Sequence, residues 1–392
     1  MNSLEDAKKL ADWMIERRRL FHRHPELGNQ EVWTTARLLQ ELAGLGIQAE
    51  KISKTGVVGT IRGKGPGKTV ALRADIDALP VTEQTGYDFA SQTPGMMHAC
   101  GHDGHMAMLL GAARMLQETR DSWNGAVRLI FQTAEEQGLG ANEAIAAGVL
   151  DGVDAIFGMH LFPLLPAGKI AVQDGPVFAS GDSFNFDIFG KQCHGSSPWD
   201  GVDAIVCACA AVMNLQTIVS RVNDARLPIV INVGTIQGGD RSNITPGHVA
   251  ITGSTRSFDE GVRKQLPDWI EQVIKGTCDT YRCTYTYEYI PLLGAVINPP
   301  DLIRTVREPL VETLGADAVT TIPEFMGSED FSFYQYKIPG AYYAVGCRNE
   351  EKDCIYSIFA IPARWIRLAG KLDMFSIWQN AGRIFRRLQT RL

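Results

Sequence analysis

The chain has 392 residues, 45% hydrophobic and 21% charged, with a formal net charge of −6; that excludes a disordered chain and leaves length for roughly two domains, or three. An acidic balance excludes the broad basic face that nucleic acid requires, and no apolar run reaches the ~18 residues expected of a membrane span. Met1–Lys9 is polar with no apolar stretch behind it, and eight cysteines in so long a chain are no disulfide framework; the expectation is a cytoplasmic protein with reduced thiols and no secretory signal.

In chain order, Leu10, Met14 and Phe21, then Val32, Ala36, Leu39 and Leu42, follow the helical period, and Gly44 and Gly46 close the second helix. Strands are predicted at Gly56–Ile61 and Thr69–Ala74, a helix at Met106–Leu116, a strand at Ala126–Gln132, a helix at Ala141–Ala147 and a buried strand at Ala155–Met159. That alternation predicts an α/β sheet with helices on both faces. From Ser183 the texture changes: Phe184, Phe186 and Ile188 alternate with polar residues, as in a half-buried antiparallel strand. A helix over Val202–Val219, strands at Ile229–Thr235 and His248–Thr255, a helix near Gly261–Gly276 and a strand at Thr284–Glu288 complete a β-α-β-β-α-β order, that of a ferredoxin-like domain. From Leu292 the α/β character returns. The expected organisation is therefore a catalytic domain over 1–182 and 292–392, interrupted by an inserted α+β domain over 183–291.

The densest chemistry lies in His98-Ala-Cys100-Gly-His102-Asp103-Gly-His105. A single histidine is most often a hydrogen-bonded structural residue; three of them with a cysteine and an aspartate in eight residues point to a metal site. His102 and His105 share a helix face, which does not make both ligands of one ion. Glu135-Glu136 follows the strand Ala126–Gln132, Asp75 and Asp77 follow Thr69–Ala74, and His160 follows Ala155–Met159. Crevices in open α/β sheets lie at the carboxyl ends of the strands, so three strands deliver acids or histidine to one edge. Adjacent carboxylates suit a division of labour, one on the metal and one moving protons. A mixed Cys/His/Glu ligand set favours zinc, with manganese or cobalt as alternatives. Cys207/Cys209 and Cys278/Cys283 lack zinc-like spacing and read as packing residues.

With Arg17–Gly28, Leu72–Pro80, Cys193–Pro198 and Gly327–Phe331 added, the chain resembles the metal-dependent aminoacylase/carboxypeptidase amidohydrolases, from Arg17 to about Lys352. Among these are hippurate hydrolases, N-acyl-amino-acid deacetylases and auxin-conjugate hydrolases. The resemblance implies a zinc-peptidase-like catalytic domain for two metals and an inserted lid that forms homodimers. It also implies that Cys100, His102, Glu136 and His160 are metal ligands, and that Glu135 is the general base. His194, from the partner subunit, would stabilise the oxyanion, and Asn243, Arg256 and His105 would bind a small N-acyl amino acid.

One departure stands out. The family carries a further histidine ligand near its C-terminus, where this chain reads Tyr356-Ser-Ile-Phe359, and no histidine follows His248. Residues 351–392 hold eight Lys/Arg against three Asp/Glu, with an amphipathic helix predicted along Leu372, Phe375, Trp378, Phe385 and Leu388. Divergence with a weakened second metal and a disturbed coding frame both account for this ending. Three functions stay open: an N-acyl-amino-acid amidohydrolase, a dipeptidase or carboxypeptidase, and a catalytically silent binding homologue.

Overall fold

The computed structural model describes residues 9–348; Tyr356 and the amphipathic helix expected beyond it lie outside the described residues. Helices α1 (Ala11–Arg23) and α2 (Val32–Gly44) lead into strands β1 (Ala49–Ile52), β2 (Gly56–Arg62) and β3 (Thr69–Asp75). Next come α3 (His102–Glu118), β4 (Ala126–Gln132), α4 (Gly140–Ala146) and β5 (Ala155–Pro166). The strands β6 (Ile170–Ala171), β7 (Gly175–Phe178), β8 (Gly181–Phe189) and β9 (Cys193–His194) precede α5 (Ala204–Thr217). After it follow β10 (Ile229–Gly238), β11 (Ile244–Thr245), β12 (His248–Ser257), α6 (Glu260–Tyr281), β13 (Thr284–Leu293) and β14 (Val296–Asn298). The described chain closes with α7 (Pro300–Leu314), β15 (Val319–Thr320), α8 (Ser332–Gln335) and β16 (Gly340–Arg348).

The chain folds as two compact units, one reaching Val177 and resuming at Ile297–Pro323 and from Asp330, the other spanning Phe178–Val296 with Glu324–Glu329. The first unit is built on an eight-stranded sheet of order β1-β2-β4-β3-β5-β16-β6-β15. Its centre is parallel: β3 runs with β4 and β5, and β5 with β16. Strands covered on both faces must be apolar throughout, and the buried Val70, Ala71, Leu72, Val127, Leu129, Ile130 and Phe131 meet that demand. Helix α3 is buried on every side from His102 to Ala113. It starts a turn earlier than the apolar period suggests. Gly101, at φ +94°, lets the chain swing straight from Cys100 into the helix.

The strand carrying His160 is longer than expected. β5 runs on to Pro166 because β16 accompanies it, pairing Ala344 with His160 and Val345 with Leu161, although β3 leaves it after Phe157. The site histidine thus sits within a strand rather than just past its end.

The second unit is a four-stranded antiparallel sheet of order β10-β12-β8-β13 with α5 and α6, in the predicted β-α-β-β-α-β sequence. Phe184, Phe186 and Ile188 of β8 meet Cys207, Ala211 and Leu215 of α5 and Leu266, Ile270 and Ile274 of α6 in one apolar core. The absence of a span-length apolar run needs correction. The stretch Ala204–Val222, α5 and the turn after it, is long and apolar enough over 19 residues to cross a membrane by length and composition alone. Its inner face, Cys207, Ala208, Ala211, Leu215 and Ile218, packs in the core, while Ile205, Val206, Met213 and Val222 are exposed.

Candidate metal centre

Three segments of the first unit converge. The turn into α3 presents Cys100 and His102, the turn after β4 presents Glu135 and Glu136, and β5 presents His160. Cys100 Sγ lies 3.3 Å from His160 Nε2. Ligand atoms of Cys100, His102 and His160 lie within 4.8 Å of one another, as do those of His102, Glu135 and Glu136. The four expected ligands and the expected base are therefore brought together. His98, in the same motif, belongs to none of these groups: it is buried, and burial lowers its pKa to about 4, keeping the ring neutral.

The donor set fits a divalent ion. His102 Nδ1 donates to the Asp77 carbonyl at 2.9 Å, and Nε2 is buried without a hydrogen-bond partner. That nitrogen is 3.9 Å from Glu136 Oε1 and 3.8 Å from Asp75 Oδ2. Burial works against a charged imidazole here, but Asp75 and Asp77 outweigh it and raise the His102 pKa well above its ordinary value. The surroundings call for a positive charge beside Nε2, which a proton or a metal ion supplies in competition. Burial likewise raises the Cys100 thiol pKa, so its thiolate depends on a cation close by. Burial also raises Glu136, against the pull of His102.

Asp75 and Asp77 have inward tasks. Asp75 takes Arg73 Nη1 at 2.7 Å and His105 Nδ1 at 2.5 Å; its burial is outweighed by His102, His105 and Arg73, which hold it well below the usual carboxylate range. Asp77 Oδ2 accepts the Glu136 backbone N–H at 3.0 Å. His105, expected to meet substrate, has both of its ring nitrogens engaged inside the protein. Nδ1 donates to Asp75, and Nε2 accepts the Leu161 N–H at 3.0 Å.

Glu135 owes its placement to a residue that the sequence reading missed. Ala134 adopts φ +51°, a conformation uncommon for a residue with a Cβ and one that stores strain. Fully buried Glu31 pins that turn: it accepts the Ala134 N–H at 3.1 Å and the hydroxyls of Thr133 and Thr55. Burial raises the Glu31 pKa, opposed by the two threonines. A lone glutamate opening an amphipathic helix carries no signal of this. Arg73, Gln132 and Asp330, also missed, form a buried network joining β3, β4 and the turn into α8, with Arg73 bonded to Gln132 at 2.9 Å and to Asp330 at 2.8 Å. An arginine in the apolar run of β3 was the available clue.

In the second unit, His194 is exposed, and its Nδ1 accepts the Ser196 N–H at 3.2 Å. Asn243 lies beside it, its carbonyl taking the Gly195 N–H at 2.8 Å. Arg256, on β12, donates to Ser328 Oγ. Gly181 leaves room for that pair: a Cβ there would stand 2.4 Å from Arg256 Nη1.

Residues 71–358 match Peptidase family M20/M25/M40. A thermostable carboxypeptidase of Saccharolobus solfataricus is 40% identical over 359 residues, 90% of each chain. An N-acyl-L-amino acid amidohydrolase of Geobacillus stearothermophilus is 42% identical over 300 residues, 75% of this chain and 81% of that one. The crystal structure of a dinuclear metal-binding M20 peptidase of Bacillus subtilis superposes with a TM-score of 0.84 at 34% identity, covering 96% of this chain and 99% of that one. The chain belongs to Peptidase family M20/M25/M40 and is a metal-dependent hydrolase of the amidohydrolase and peptidase type.

Proposed function

We propose that the chain hydrolyses the amide bond of N-acyl amino acids of the N-acetyl or N-benzoyl type. The observation that carries this is the convergence of Cys100, His102, Glu136 and His160, with the buried Nε2 of His102 lacking a partner, beside a second carboxylate on Glu135. Those four residues would hold a divalent ion, zinc first, with manganese or cobalt as alternatives. Such an ion, when bound, acidifies water and polarises a carbonyl. Glu135 takes the proton of the attacking water and delivers it to the departing nitrogen. Arg256, steadied by Ser328 in the space left by Gly181, offers a planar fork that suits the substrate's carboxylate. Asn243 supports it, and His194 presents its Nε2–H to the oxyanion, supplied by a partner subunit. A homodimer through the inserted domain would cover the apolar outer side of α5. The thiols of Cys100, Cys193, Cys207, Cys209, Cys278 and Cys283 are not joined in disulfides, which suits a reducing, cytoplasmic setting.

A carboxypeptidase reading is favoured by the names of the Saccharolobus relatives. Against a dipeptidase stands the commitment of both Asp75 oxygens to Arg73 and His105, which leaves that carboxylate no oxygen for a peptide's amine. A panel of N-acetyl, N-benzoyl and free dipeptide substrates, assayed with zinc, manganese and cobalt, tests the proposal. Turnover of the acylated compounds is expected. Turnover confined to free dipeptides would contradict it. Since no histidine follows His248, one ion is held tightly and a second weakly, so two ions per chain surviving dialysis would refute that part.

A further inference from the structure

We infer that His105, backed by Asp75, is a positioning residue that fixes His160 toward the metal centre, an inference that rests on the reading of that centre given above. Strand β5 outlasts one neighbour, since β3 pairs with it only as far as Phe157. Beyond that point the Leu161 N–H donates not to a strand but to His105 Nε2, at 3.0 Å. A neutral imidazole accepts on one nitrogen only if its proton sits on the other, and Asp75 Oδ1 holds that proton at Nδ1 over 2.5 Å. Asp75 is fixed in turn by Arg73, 2.7 Å from its other oxygen. On the far side, His160 Nδ1 donates to the carbonyl of the same Leu161 at 2.7 Å, which leaves Nε2 turned toward Cys100 at 3.3 Å. The backbone that His105 grips is thus the backbone that orients the His160 ring. His105 and Asp75 are both fully buried at 0% exposure, so their bonds are made inside the protein and are not shared with solvent.

Two substitutions separate the two ends of this arrangement. Asparagine places an amide where Nδ1 lies, so His105→Asn keeps Asp75 satisfied and lets go of Leu161. Glutamine reaches the Nε2 position, so His105→Gln still accepts the Leu161 N–H. In metal-free protein, hydrogen exchange at the Leu161 amide should accelerate in His105→Asn and stay slow in His105→Gln. Cobalt affinity should fall by roughly 10–100-fold in His105→Asn, and by less in His105→Gln, with kcat lowered and KM unchanged. A raised KM with unchanged cobalt affinity would make His105 a substrate residue and overturn the inference. Equal cobalt affinity in His105→Asn and the unsubstituted chain would also overturn it, while leaving the metal centre intact. An unsubstituted chain that takes up no cobalt would overturn the metal-centre reading and this inference together. Should His105→Asn fail to fold, imidazole nitrogen shifts in the unsubstituted protein decide: a proton on Nδ1 supports the arrangement, and a proton on Nε2 overturns it.

Discussion

The two units bury different kinds of atoms. Beneath its apolar sheet the first conceals Arg18, Arg73, Asp75, Asp77, His102, Asp103, His105 and Asp330, each at 1% exposure or less. The core of the second holds aliphatic side chains, phenylalanine and cysteine, and it buries fewer charges, among them Glu329 and Asp182, the latter held by Arg263. Buried charge is costly even when paired, and replacing a buried ion pair by apolar residues often stabilises a protein. A fold gains nothing in stability from gathering so many ionisable groups at one sheet edge. The first unit is shaped by the demands of a charged centre, the second by packing.

That comparison has consequences that differ in size. The largest effect belongs to Glu135→Gln, whose turnover should fall by roughly 10²–10⁴-fold, the scale of lost general acid–base catalysis, while metal content stays unchanged. Near-normal turnover would remove Glu135 from its role. Arg73→Met leaves Asp75 and Asp330 buried without their cation, and urea titration should show a loss of ~3–5 kcal/mol together with weaker metal retention. Leu215→Ala, in the second unit, should cost a comparable ~2–5 kcal/mol, yet the folded fraction should bind metal as before. Loss of metal affinity in that variant would erase the proposed contrast between the units.

Thiol chemistry gives a further contrast. Cobalt-loaded protein should show a thiolate-to-cobalt absorption band that Cys100→Ser abolishes and Cys207→Ser leaves intact. A band that survives in Cys100→Ser would make Cys100 an ordinary core cysteine.

The smallest effect concerns pH. Burial opposes a charge on His22, but Asp103, 2.8 Å away, outweighs it and raises the His22 pKa above 6.5. Its contribution to stability is complete below pH 6.5 and disappears as pH rises through the folded-state value. Stability curves of the unsubstituted chain and His22→Gln should therefore converge toward alkaline pH. A constant offset would contradict the assignment.

Much of this was legible in the sequence, for reasons that can be located. The alternation of Phe184, Phe186 and Ile188 places one face of β8 in a core because strand side chains repeat every two residues. Cys100 and His102 were found because metal-ligating residue types crowd the 98–105 run, and Glu135, Glu136 and His160 because they sat at the ends of predicted strands, where parallel sheets open their crevice. Other features depend on partners distant in the chain. Nothing near Glu31 announces that it will clamp Ala134, 103 residues later. The extension of β5 past His160 depends on β16, which is contributed from beyond the second unit. His105 reads locally as one more histidine beside a metal motif, and only the Leu161 amide and Asp75 reveal that both its nitrogens are taken.

The central claim is that one charged centre at the strand ends of the first unit holds the metal. Anomalous scattering from crystals grown with zinc tests it most directly. The account predicts a strong peak ~2.0–2.3 Å from Cys100 Sγ, His102 Nε2, His160 Nε2 or a Glu136 carboxylate oxygen, with any second peak weaker. Strong zinc density elsewhere, with those side chains left unliganded, would contradict it.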